Sequence, residues 1–208
     1  ETTSKLEVAF GDLAEEGKRF ADEWAQALGR SRSQMRDFVG DAQSILAPMV
    51  RNREAAAAMS EALALLAVDF GSFRNMADSD AFNRMISGLL GSTEATERLG
   101  ISLRENVLQL TAQELGIAQN VAAMDDATKI QLRFLAIMEQ SRDAQGDAIR
   151  TSESLSNQYK RLTADISDLA IEIGQELMPY ALALVNWVSD LTEEIKNLTP
   201  ETKETVLQ

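Results

Sequence analysis

Histidine and cysteine are both absent from the 208 residues of this chain. Histidine is the commonest general base in enzymes and the commonest nitrogen ligand of metal ions, so its absence excludes Ser-His and zinc-hydrolase chemistry. The absence of cysteine excludes Cys-His chemistry, disulfides and thiolate metal sites. We therefore expect a protein that is not an enzyme and that has no catalytic residue, no metal site and no cofactor.

Proline and aromatic residues are scarce, with three prolines and an aromatic fraction of 5%. The abundant residues are Ala, Leu, Glu, Gln, Arg and Met, all of which favour helices. The hydrophobic fraction of 45% is ordinary for a folded protein and large enough for a core. The composition therefore predicts an all-α fold.

The chain is acidic, with 33 acidic and 20 basic residues and a net charge of −13. Such a chain repels phosphate backbones, and no block of Lys and Arg offsets the repulsion, so we expect no direct nucleic-acid binding. Neither of the glycine-rich nucleotide-binding motifs is present. The acidic excess has two interpretations: it keeps the chain soluble, or it attracts a basic partner.

Long apolar runs are also missing: no stretch of about 18 uncharged apolar residues occurs. The nearest approach, residues 177–188, is short and contains Pro179. We therefore expect no membrane-spanning helix here, and membrane contact only through regions outside this chain. The start at Glu1 and the pattern cut off at residues 206–208 lead us to expect a piece of a longer protein.

Residues 1–150 form a region in which apolar residues recur at helical spacing between glycines. Leu6, Phe10, Leu13, Phe20 and Trp24 make one stripe, which predicts a single helix ended by Gly29. Apolar residues lie on more than one face of the range 129–140, so we expect this to be the most buried helix. Other local signals predict further helices. Helix starts are expected at a cap on Ser33, a cap on Asp78 or Ser79, a capping box of Ser102 and Glu105, and a cap on Asp125. A helix is also expected over the range 54–76, and a short turn from Ser92 to Leu99 that Gly100 ends.

Residues 151–199 have a different, more regular pattern. Leu155, Tyr159, Leu162, Ile166, Leu169 and Ile173 alternate by four and three, which predicts a seam of about three heptads. The seam resumes as far as Leu198 in a frame displaced by one residue, with a break near 174–179. A coiled coil between chains and a helical hairpin within one chain have the same spacing, and both stay open. Residues 200–208 begin a further helix that the chain truncates.

Adjacent acidic residues include the pairs Glu15-Glu16, Asp125-Asp126 and Glu193-Glu194. Neighbours on a helix point about 100° apart and do not readily share one site, so we interpret these pairs as solvated faces or helix starts. Carboxylates that pair only in space are invisible in a sequence, which leaves a glycosidase-like pair as an open alternative.

Several segments resemble parts of phage tail tape measure proteins. Residues 87–109, SGLLGSTEATERLGISLRENVLQ, resemble the S-G-L-x-G-E-x-E-x-x-x-x-L-G-I segment of that family, except that Ser92 stands where the family usually has an acidic residue. Residues 129–162, 173–179 and 58–73 are also similar to family segments, and the resemblance covers about 11–200 in the family's order. The matching positions in the two longest segments are Gly88, Leu89, Gly91, Glu94, Leu99, Gly100, Ile101, Lys129, Arg133, Gly146, Asp147, Thr151 and Ser154.

The resemblance implies the N-terminal or central helical region of a phage or prophage tail tape measure protein. Family members are structural: several copies form a helical rod, which tail assembly chaperones coat and around which tail tube protein then polymerises. The length of the rod sets the length of the tube, and the rod leaves before the DNA during genome delivery. The implied partners are the tail tube protein, the chaperones and further copies of the chain, and the implied location is the virion tail lumen, or the bacterial host cytoplasm during assembly.

Two other functions fit parts of the sequence. A cellular coiled-coil adaptor or secretion-associated helical protein would share the heptad pattern. A gene neighbourhood of tail proteins would distinguish a tape measure protein from this alternative. A wall hydrolase acting through a lone Glu is the weaker alternative. It would require wall-degrading activity that is lost when that residue is changed to Gln.

Overall fold

A computed structural model describes residues 2–50, 52–117 and 120–151, and within these ranges the chain forms helices and no strands. The predicted all-α fold is therefore confirmed. Predictions for the heptad pattern, its break near 174–179 and the helix start at 200–208 lie outside the described residues. The helices are α1 (Thr2–Phe10), α2 (Ala14–Leu28), α3 (Arg32–Val50), α4 (Arg53–Phe73), α5 (Asp78–Leu89), α6 (Thr93–Glu97), α7 (Glu105–Glu114), α8 (Asp126–Gln140) and α9 (Asp147–Arg150).

Helix α4 is the centre of the bundle and contacts α2, α3, α5 and α9. It begins after Asn52, whose side-chain oxygen accepts from Ala55 N at 2.7 Å and satisfies one of the unpaired N–H groups of the first turn. Its predicted stripe is buried as far as Phe70, while Phe73 is half exposed. Each buried Leu or Phe side chain contributes about 1.5–3 kcal/mol, so this helix supplies much of the stabilisation of the bundle.

The most buried helix is α4, and the prediction that this would be residues 129–140 is wrong. On α8 the buried residues are Ile130, Leu132, Ala136 and Ile137, and Leu135 remains 42% exposed. The apolar pattern of α8 spans more than one face because one face packs on α3 and α5 while another borders α7. The breadth of an apolar stripe does not reveal whether every part of it is covered.

Helix α4 also meets the length and composition expected of a membrane-spanning helix, with a mean hydropathy of 1.4 over an 18-residue window. Within the protein, 67% of that window is buried. The core helix of a packed bundle has the same features, and we interpret α4 in that way.

The single helix predicted from Leu6 to Trp24 is wrong, because the chain forms α1 and α2 with a 3₁₀ turn at Gly11–Leu13 between them. Gly11 has a left-handed backbone with φ of 59°. The Arg53 guanidinium, from the start of α4, occupies the space beside Gly11 and donates from Nη1 to Phe10 O at 3.3 Å. A residue more than 40 positions away therefore stabilises the end of α1.

Local helix signals had mixed outcomes. Gly29 ends α2 in the left-handed conformation with φ of 61°, and Asp125 caps α8 by accepting from Thr128 N at 2.8 Å, as predicted. Gly100 is left-handed as well, with φ of 76°. The predicted cap at Ser33 is wrong, because Ser31 Oγ is the acceptor, from Gln34 N at 3.4 Å.

The predicted capping box of Ser102 and Glu105 is also wrong. Ser102 exchanges two hydrogen bonds with the Gln140 side-chain amide: Ser102 N donates to Oε1 at 2.9 Å, and Nε2 donates to Ser102 O at 2.9 Å. Gln140, at the end of α8, thereby holds the segment 101–104, which precedes α7, against the bundle. Neither Asp78 nor Ser79 caps α5, whose N-cap is Ala77.

Gly88 should be indispensable to the packing of α5. A Cβ at this position would collide with the Thr96 methyl and lie 3.1 Å from Leu103 Cδ1, so we expect Gly88→Ala to lower the free energy of unfolding by about 1–3 kcal/mol. Gly40→Ala is the matched control, because a Cβ there meets Leu6 only at 3.4 Å or beyond, and alanine should stabilise the helix by up to about 1 kcal/mol. Urea denaturation of both variants measures the difference, and equal effects would contradict it.

Candidate functional site

The residues that carry the tape measure resemblance in 87–109 form the corner between α5 and α7. Gly88 packs against Thr96 and Leu103, and Gly91 has φ of 109°. Leu99 and Ile101, on either side of the left-handed Gly100, are buried. These five positions fix backbone geometry and packing, whereas Glu94, a further matching residue, presents an exposed carboxylate.

The second resembling segment joins this corner through Arg133. Arg133 on α8 donates from Nη1 to Leu89 O at 3.0 Å, which satisfies a carbonyl at the C-terminal end of α5. Lys129, one turn earlier on α8, donates to Ala122 O at 3.4 Å. The two segments are therefore in direct contact, although 44 positions separate the bonded residues.

The same segment contacts α4 through a cluster of polar groups. Asp69, 8% exposed, accepts from Gly146 N at 2.8 Å and from Ala148 N at 3.1 Å. Ser72 donates to Asp147 Oδ2 at 2.7 Å. Matched residues of 129–151 are thus held on α4, which contains the resembling range 58–73, while Ser154 lies outside the described residues.

A buried ion pair connects three helices. Arg30 Nε donates to Asp78 Oδ2 at 2.6 Å, and the two side chains are only 2% and 4% exposed. Arg30 also donates to Leu28 O at 3.0 Å, at the C-terminal end of α2. Asp78 opens α5 and lies against Gly71 of α4, where any Cβ would collide with its carboxylate. The pair therefore fixes α2, α4 and α5 at one point.

Carboxylates from different helices interact at two places in the described part of the chain: Glu61 with Glu16, and Asp69 with Asp147. Burial raises the pKa of Glu61 on α4, and the charge of Glu16 on α2 raises it further. A raised pKa is what a general acid needs, so the glycosidase-like alternative stays open for the pair of Glu61 and Glu16. In the described ranges, no group of three or more acidic side chains is placed to hold a metal ion.

The clearest feature for binding a partner is a groove of about 470 Å³ between α7 and α8. Its apolar lining consists of Leu115, Leu135 and Met138, of which the two leucines are 50% and 42% exposed. Charged side chains border it, including Glu114, and the ion pair of Arg142 with Glu139. The groove combines apolar contact with charge and offers binding rather than catalysis. Sequence reasoning missed the groove because residues 129–140, which include Leu135, were expected to form the most buried helix.

Comparisons of the chain with protein-family models, with curated proteins and with solved structures give no match.

The Arg30–Asp78 pair should be among the most sensitive positions of the fold. Arg30→Met removes the guanidinium that neutralises the buried charge of Asp78, and we expect a loss of about 3–5 kcal/mol in the free energy of unfolding. The double variant R30M/D78L removes both charges and should recover most of that loss. Urea unfolding measures both.

The exposed pair of Arg104 and Glu97, joined at 2.7 Å, is the matched control for this prediction. Arg104→Met should change stability by less than about 1 kcal/mol, because solvent screens both charges. Equal losses for R30M and R104M would contradict the structural role of the buried pair.

The raised pKa of Glu61 predicts how stability depends on pH. A carboxyl group whose pKa in the folded state exceeds its ordinary value of 4.5 binds its proton more tightly when folded, so stability rises as pH falls through the folded pKa. Glu61→Gln should therefore be more stable than the wild type at neutral pH, and the difference should shrink as pH falls toward 4.5. Urea unfolding across this range tests it.

Glu16→Gln is the control for this pH dependence. It removes the repelling charge but not the burial, which is the larger cause, so the dependence should be reduced and not abolished. A difference between wild type and E61Q that stays constant with pH would contradict the prediction.

Proposed function

We propose that this chain is the N-terminal or central region of a phage or prophage tail tape measure protein, a structural scaffold and length ruler for the tail tube. The observation that carries the proposal is the occurrence of several family-like segments in the family's order, over about residues 11–200. The all-α fold and the absence of histidine and cysteine are consistent with a structural role.

Contacts among the resembling segments add support. Arg133, from the described part of the segment 129–162, donates a hydrogen bond to Leu89 O in the segment 87–109. Gly146 N, from the same part of 129–162, donates to Asp69 on α4. Segments that are scattered along the sequence thus lie together in one bundle. The glycines of the motif, Gly88 and Gly100, stand where a side chain would collide or strain the backbone.

The proposal assigns different roles to the two parts of the chain. The described residues form a packed bundle, whereas the heptad pattern that begins at Leu155 suits a continuous helix. A helix rises about 1.5 Å per residue, so a continuous helical segment can act as a ruler. The groove between α7 and α8 is the surface that we propose for contact with an assembly partner, either tube protein or chaperone.

Tail length tests the ruler role directly. Deleting residues 155–175 in frame removes 21 residues, or three heptads, and preserves the heptad register. Tails of the resulting phage should be shorter by about 30 Å, measured by electron microscopy.

Duplicating the same 21 residues is the matched control and should lengthen tails by about 30 Å. Opposite changes of similar size cannot arise from misfolding. Viable particles of normal length from both variants would overturn the ruler role of this region.

A further inference from the structure

Helix α9 is attached to the bundle mainly by polar contacts. It has four residues, Asp147–Arg150, and among them only Ala148 is buried. Ile149, its one large apolar side chain, is 54% exposed. Burial of a single alanine methyl contributes about 1 kcal/mol or less, so apolar packing does not hold this segment in place.

Two residues of α4 make polar contacts with the segment, and Arg150 also donates to the preceding turn, to Gln145 O at 2.7 Å and to Asp143 O at 3.1 Å. Asp69 provides both carboxylate oxygens as acceptors, one for Gly146 N at 2.8 Å and one for Ala148 N at 3.1 Å. Ser72, one turn later, donates to Asp147 Oδ2 and shares a hydrogen bond with Thr151 Oγ1, each at 2.7 Å. Gly146 has no side chain to cap α9, and Asp69 therefore caps it from another helix.

This attachment carries an electrostatic cost. Burial raises the pKa of Asp69, and the neighbouring carboxylate of Asp147 raises it further, whereas the two backbone N–H groups and Arg150 lower it. The ionised carboxylate thus loses hydration and is repelled by a like charge, while its hydrogen bonds offset part of that cost. The free energy that holds α9 is consequently a difference between opposing contributions.

Local conformation also favours independent movement of the segment. Gly146 adopts a left-handed backbone with φ of 75°, which separates α9 from the turn at residues 141–146 after α8. Segments with little buried apolar surface open with free energies well below that of global unfolding. Helix α4, by contrast, lies in the apolar core, and its inner amides are expected to exchange only when the bundle unfolds.

We infer that residues 146–151 form a polar latch on Asp69 and Ser72 that opens while the core of the bundle, helices α3 and α4, stays folded. Opening breaks the hydrogen bonds that the Gly146 and Ala148 amides donate to Asp69, and those of Ser72 with Asp147 and Thr151. It leaves the hydrophobic core intact. The chain therefore has two arrangements at Thr151, four positions before the first heptad residue, Leu155. This inference depends on the contacts of α4 and α9 and not on the proposed function.

Native-state hydrogen exchange of the full chain tests the latch. NMR measures the exchange rate of each amide at several urea concentrations, all below those that unfold the protein. The amides of Gly146 and Ala148 should exchange through an opening that depends little on urea. Inner amides of α4, such as those of Leu63 and Leu66, should exchange at least about a hundredfold more slowly and depend steeply on urea. Equal exchange with equal urea dependence would mean that the segment opens only by global unfolding, and would overturn the inference.

The variant Asp69→Ala should raise the exchange of the Gly146 and Ala148 amides at least about tenfold and leave the inner amides of α4 within about threefold of the wild type. Asp125→Ala is the matched control, because it also removes a carboxylate that caps a helix, but from within α8 itself. It should leave the two latch amides unchanged. If D69A accelerates the core amides as much as the latch amides, Asp69 belongs to the core and the latch is wrong. The wild-type measurement decides the question even if D69A fails to fold.

Discussion

The arrangement of the bundle depends on the buried ion pair of Arg30 and Asp78. An ion removed from water loses several kcal/mol of hydration, and only close pairing and further hydrogen bonds offset that loss. Arg30 directly follows the end of α2, Asp78 opens α5, and Gly71 of α4 leaves the space that the carboxylate occupies. These three helices cannot shift relative to one another without exposing or separating the charges. A core of leucine, alanine and methionine alone would tolerate such shifts, so we interpret the pair as a source of specificity.

The same physical solution recurs at other helix ends. Arg53 donates to Phe10 O at the end of α1, Arg133 to Leu89 O at the end of α5, and Arg74 to Leu99 O after α6. The last carbonyls of a helix have no partner within it, and an arginine from a distant position supplies one. Asp69 serves the opposite end of a helix in the same way, since it accepts from the first amides of α9. Several helix ends in this bundle are therefore satisfied by tertiary contacts, whereas α4 and α8 begin at local caps.

This dependence on distant side chains explains what could be predicted from the sequence. The stripe of Met59, Leu63, Leu66 and Phe70 reveals α4 because helix periodicity is a local property, and Asp125 reveals the start of α8 for the same reason. Most helices and much of the core follow from such signals.

Predictions failed where a distant residue replaced the local partner. The expected capping box was wrong because the Gln140 amide, 38 positions away, binds Ser102 instead. The break at Gly11 requires Arg53, and the latch on Asp69 joins residues 77 and 79 positions apart. The groove was missed for a related reason: spacing shows that Leu135 lies on an apolar face of α8, but not whether another helix covers that face.

Use of arginine inside the bundle also determines what the surface offers to partners. Arg30 is buried, and Arg53, Arg74 and Arg133 donate to backbone carbonyls, whereas many carboxylates remain exposed. Exposed carboxylates surround the region of α6, α7 and the start of α8: Glu94, Glu97, Glu105, Glu114, Asp125 and Asp126. Arg98 and Arg104 are exposed in the same region and offset part of this negative charge, and the remaining negative charge disfavours association of bundle with bundle.

A partner that presents an apolar face flanked by lysine or arginine would instead complement both the groove and the charge around it. The proposed function leaves two arrangements of the heptad seam open: copies of the chain would join through the seam if it pairs between chains, whereas a helical hairpin would pair it within one chain. In either arrangement, the acidic charge of the bundle favours a basic partner.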